Sequence, residues 1–171
     1  MIKHLLFLLA LISISTVNAQ QSEVKEAFLE KWNNSRDYLI DMAQGMPEDH
    51  YDFTPVKDKM SFKTQLLHIK GNMDWLATSY FNLETTGEPE DYTNASKEEI
   101  ILALKNSFDS VYSAVKNTDD ADLKTTVKFF AGPKSKLQIL NLLHDHVTHH
   151  RGQLIVYMNL KGIDLPRYSG W

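Results

Sequence analysis

The chain has no cysteine anywhere in its 171 residues. Thiolate nucleophiles, iron–sulfur clusters, cysteine-built zinc sites and disulfides are all excluded, even in an oxidising compartment. After residue 17 no apolar run is long enough to span a bilayer, which takes about twenty residues. A basic stripe is missing too. The 18 Lys and Arg against 22 Asp and Glu give a net charge of −4, which argues against a nucleic-acid partner. There is no internal repeat, no low-complexity stretch and no sign of a second domain. Nor is there a Glu-x-x-His pair for a di-iron bundle site or a His-Glu-x-x-His zincin motif.

What is present begins with a targeting signature. Lys3 supplies a short basic start, Leu5 to Val17 is nearly charge-free, and Val17-Asn18-Ala19 ends in small residues. Residues 1–19 therefore read as a signal peptide, and the protein as exported (periplasmic or secreted) with no stable membrane anchor. No cysteine follows the cleavage signature, so a lipid on a new N-terminal Cys is excluded. The mature chain starts at about Gln20 and carries −5, since Lys3 is the only charge removed. Residues 20–171 suffice for one ordinary domain with its own core.

That domain reads as four helical segments. The first runs from about Ser22 to Gln44, with Val24, Phe28, Trp32, Ser35, Leu39 and Met42 at three- and four-residue spacing and Gly45 and Pro47 ending it. Ser61 caps the second, whose stripe of Phe62, Leu66, Ile69, Met73, Leu76 and Tyr80 continues to about Glu84. Ser96-Lys-Glu-Glu99 is a capping box opening the third, which runs to about Lys116. The fourth extends from about Ser135 to Lys161 and stops at Gly162. Thr125 to Phe130 is β-prone, either a lone extended segment or half of a small hairpin. The fold class is all-α, a four-helix bundle.

The fourth segment carries His144, His146, His149 and His150 within seven positions. Projected at about 100° per residue, Ile139, Leu143, Leu154 and Tyr157 define its apolar face, and His146 and His150 sit within it, one turn apart. His149 lies at the edge, while His144 and Asp145 point away. Two buried imidazoles side by side are unfavourable if charged and hard to satisfy if neutral; a shared metal ion resolves both problems. Gln153 stays near the same face and is placed to orient a ligand or a bound water. Arg151 projects away, toward a surface ion pair or loop contact. Trp32, Trp75 and Tyr157 read as core. Of the other histidines, His50 belongs to an exposed loop, and His68 only flanks the apolar stripe of its helix, so spacing alone does not make it a ligand.

Pro47-Glu-Asp-His-Tyr-Asp-Phe-Thr-Pro55, Ser61-Phe-Lys-Thr-Gln-Leu-Leu-His-Ile69, His146-Val-Thr-His-His-Arg-Gly-Gln153 and Lys161-Gly162 occur in that order. This closely resembles the DinB family of DinB/YfiT-like metalloenzymes over essentially the whole mature chain. The resemblance implies a four-helix bundle holding a divalent metal with three histidines, here His68, His146 and His150. Three imidazoles leave coordination positions open. Zinc or nickel suits such a set best, with iron or manganese as further candidates.

Thiol S-transferases and thiol-dependent isomerases occur in the broader superfamily. The resemblance thus implies a metal-dependent transferase or, given export away from cytoplasmic thiols, a hydrolase, acting on a small molecule. A non-catalytic bundle in which the metal staples two helices is the alternative. Homodimers are common among similar proteins.

Overall fold

Four helices account for most of the chain, and each end has a local cause. The computed structural model describes residues 2–84 and 91–171, with side chains from residue 23 onward. Its helices are α1 (Ile2–Gly45), α2 (Phe62–Tyr80), α3 (Lys97–Lys116) and α4 (Lys136–Leu160). The segment predicted at 22–44 is the C-terminal half of α1, and no Gly or Pro before Gly45 interrupts the helix upstream. The targeting segment predicted at 1–19 falls on residues whose side chains lie outside those described. Among the described residues no helix is long and apolar enough to cross a membrane.

Ser61 accepts from the Thr64 N–H, and Ser96 with Glu99 forms the predicted capping box. A second such box, Ser135 with Gln138, opens α4. Gly162, at φ 67°, ends α4 as its position suggests, and the Ile163 N–H donates back to the Met158 carbonyl at 3.0 Å. The C-terminus of α2 differs from expectation. It stops at Tyr80 rather than near Glu84, because Asn82 adopts φ 55° and the Leu83 N–H turns back to the Ala77 carbonyl at 3.3 Å. Of the two readings of 125–130, the hairpin is the one observed. β1 (Thr126–Val127) pairs antiparallel with β2 (Lys134–Ser135), Thr126 opposite Ser135.

Contacts run from α1 to α3, α3 to α2, α2 to α4 and α4 back to α1, so the helices form a closed ring around one core. Phe62, Leu66, Ile69, Met73 and Leu76 of α2 are all fully buried in it, as are Ile100, Leu104, Phe108, Val111 and Val115 of α3. Trp32 is buried as predicted: it stacks on Phe28, and its indole N–H donates to the Phe108 carbonyl at 3.1 Å, tying α1 to α3. Lys97, at the start of α3, donates to the Gln44 and Met46 carbonyls and so caps the end of α1. Trp75 is not core. It is 43 % exposed and packs near Phe129 and Phe130 of the hairpin. Its place two turns beyond His68, on the flank of α2 rather than in the apolar stripe, is the reason.

Candidate metal centre

Gln65 of α2 meets Gln153 and Tyr157 of α4, while His68 meets His146, so these two helices run antiparallel along a shared seam. Three imidazoles converge on that seam. His68, His146 and His150 each offer a ring nitrogen, and the three atoms lie within 4.8 Å of one another. Ring centroids are 4.9 Å apart for His68 and His146, 4.5 Å for His68 and His150, and 4.5 Å for His146 and His150. The last spacing follows from one helical turn; the other two require α2 and α4 to be in this register.

His68 Nε2 and His146 Nε2 stand 3.1 Å apart. That is hydrogen-bond range, and it is also compatible with the ~3.3 Å that separates two nitrogens held at ~2.0–2.1 Å by one tetrahedral ion. His150 Nδ1 lies 2.6 Å from Gln65 Oε1, and an amide oxygen only accepts. The proton is therefore on Nδ1, and His150 Nε2 keeps its lone pair for a ligand. His146 Nδ1 is buried with no partner among the described residues, which therefore do not complete the hydrogen bonding of this trio.

Protonation agrees with a ligand role. Burial first, and then the neighbouring imidazoles, each resisting a second positive charge nearby, push both His146 and His150 down to about 4. Near neutral pH both rings carry free lone pairs, the form a metal requires. Among the described residues no cysteine or carboxylate joins the three, so the donors there are nitrogen only. His150 is buried, whereas His68 and His146 are half-exposed. These residues fit a divalent metal ion.

Around the trio a polar chain fixes the geometry. Gln65 Nε2 donates to Gln153 Oε1 and, at 3.5 Å, to the Tyr157 hydroxyl. Gln153 Nε2 donates to His149 Nε2 at 3.0 Å, and the Tyr157 hydroxyl donates to the Met60 carbonyl at 2.9 Å. Gln153 thus reaches the site through Gln65 rather than directly. Gln65 itself was missed by sequence reasoning, although it lies one turn before His68 on the same flank. A cavity of about 470 Å³ opens beside His150 and Gln153. A cleft of about 520 Å³ between the end of α2 and α3, around Asn82, Asp109 and Ser113, contains no histidine.

The remaining candidates lie elsewhere. His144 faces α1, 3.3 Å from the Ser35 hydroxyl and edge-on to Phe28. His50 sits in the 3₁₀ turn Glu48–His50 and is not part of the trio. Arg151 corrects the surface ion pair foreseen for it. It is 5 % exposed, its Nη1 lies 3.3 Å from Ser35 Oγ, and its guanidinium lies over the Tyr38 ring, 5.1 Å from the centroid. Its direction away from the metal face leads to α1, not to solvent, and aromatic contact compensates in part for lost hydration.

Comparison with known proteins agrees with this architecture. The family model described as the DinB family matches residues 17–169. YjoA of Bacillus subtilis, an uncharacterized protein, is 22 % identical over 157 residues, covering 88 % of this chain and 97 % of its own. Among solved structures, a DinB-like protein from Bacillus cereus superposes with TM-score 0.73 at 24 % identity, covering 84 % of this chain and 96 % of that one. The structure of YjoA, also DinB-like, gives TM-score 0.68 at 20 % identity, over 87 % of this chain and 99 % of that one.

Proposed function

This chain belongs to the DinB family, and from there we propose that His68, His146 and His150 hold one divalent metal ion at an open, catalytic site. One observation carries the reading: three imidazoles converge on the α2–α4 seam, with two of them half-exposed and no fourth protein ligand closing the group among the described residues. An all-nitrogen set suits zinc or nickel best, with iron or manganese next. When bound, such an ion lowers the pKa of a water or thiol and polarises a substrate oxygen. Gln65 holds the His150 proton on Nδ1, and Gln153 and Tyr157 hold Gln65. The half-exposure favours a catalytic centre over a sealed staple between helices.

The reaction class is a small-molecule hydrolase or a thiol S-transferase. Export by residues 1–19 belongs to this proposal and favours hydrolysis, because cytoplasmic thiols would not be at hand; a homodimer is the proposed assembly. The test compares chelated and metal-reloaded protein on ester, amide and thiol-transfer substrate panels. Metal-dependent turnover that disappears in His150→Ala is the expected result. Turnover in no panel, from protein shown to be fully loaded, would make the metal structural.

A further inference from the structure

The cavity of about 470 Å³ beside the trio falls in the size range of small-molecule sites, ~300–1,000 Å³. His150 closes one part of it, so whatever fills it lies against a proposed metal ligand. Met60 and Val156 face it, 37 % and 52 % exposed, two large apolar side chains left open to water. The Tyr157 ring adds a third apolar surface.

Apart from His150 Nε2, whose lone pair is kept for the proposed metal, the polar groups on its wall are largely committed. Gln65 accepts from His150 and donates to Gln153 and Tyr157. Gln153 uses its amide nitrogen on His149, and the Tyr157 hydroxyl donates to the Met60 carbonyl. Lys59 is the other exception: it lines the cavity, and its side chain forms no ion pair among the described residues. Among the described residues no carboxylate lines the cavity to offset it. What the cavity offers an incoming molecule is apolar surface plus one positive charge.

From this we infer that the cavity binds a small amphipathic monoanion, an aliphatic or aryl carboxylate, with its head on Lys59 and its apolar body against Met60, Val156 and Tyr157. This names the substrate class of the proposed metal centre and rests on that reading for the chemistry, though not for the binding itself. A strongly hydrophilic molecule would leave the apolar wall unused and be disfavoured.

The probe is octanoate, titrated into full-length protein that is chelated in one sample and zinc-loaded in another. Methyl resonances of Met60 and Val156 are followed, with octanol as the neutral control. Octanoate should move both methyls saturably in the chelated sample. Lys59→Glu should weaken octanoate by about five-fold or more and leave octanol unchanged, since a single exposed charge pair contributes at most about that factor and reversal adds repulsion. Lys59 is exposed, so this variant keeps the fold, which its unchanged melting curve verifies. Methyls that do not respond, or octanoate affinity indifferent to Lys59→Glu, overturn the inference. Zinc uptake by the same samples is scored separately. Octanoate binding without zinc uptake defeats the metal reading alone; zinc uptake without octanoate binding defeats this one alone.

Discussion

Single side chains decide what the site can do, and Gln65 does so without being in the trio. By accepting from His150 Nδ1 at 2.6 Å it selects the tautomer that leaves Nε2 free. Gln65→Ala should therefore lower metal affinity ~10–100-fold, the usual effect of losing such a partner, while the protein keeps its helical content. Competition titration against a chelator dye reads the affinity, and unchanged affinity would remove Gln65 from the account. At this scale the sequence was legible where periodicity and chemistry agreed. His146 and His150 stood out because polar rings interrupted an apolar stripe. His68 stood at a stripe's edge, where spacing is silent, and only resemblance singled it out. Arg151 and Trp75 were misread for opposite reasons. A charge was assigned to solvent though Tyr38 and Ser35 enclose it, and an indole was assigned to the core though 43 % of it is exposed.

At the scale of the element, α4 carries three imidazoles that folding keeps neutral: His144, His146 and His150, each lowered to about 4, chiefly by burial. Unfolding returns them toward an ordinary value of about 6.5, so between these two limits the unfolded chain binds more protons than the folded one. Stability of the metal-free protein should therefore be fullest above pH ~6.5 and fall steadily as the pH drops toward ~4. Thermal melts of chelated protein from pH 7.5 to 4 check this; a melting temperature that stays flat across that window contradicts it. Helix starts were readable because Ser61 and Ser96 announce themselves as caps. The end of α2 was not, since Asn82 in a left-handed conformation is a backbone event that the apolar run through Tyr80 does not foreshadow. The hairpin was half readable: the β-prone strand was visible, but its partner at Lys134–Ser135 doubles as the start of α4.

For the molecule as a whole, the bundle is what makes the site possible. His68 is separated from His146 by 78 positions in sequence, and only the antiparallel seating of α2 on α4 brings their nitrogens to 3.1 Å. That four amphipathic stripes make a bundle was implicit in the sequence, but which helices become neighbours was not, because the connections 46–61, 81–96 and 117–135 are long. The register of α2 on α4, set by Gln65 against Gln153 and Tyr157, was not legible either. Since a metal bound to the folded state stabilises it by mass action, site and fold are thermodynamically linked. The most direct measurement is elemental analysis of the full chain, purified without a polyhistidine tag, beside a His146→Ala control. Close to one divalent transition-metal ion per chain, with near-complete loss in the variant, is the expected result. A well-folded protein that takes up no added zinc, nickel, iron or manganese, and matches its variant, would contradict it.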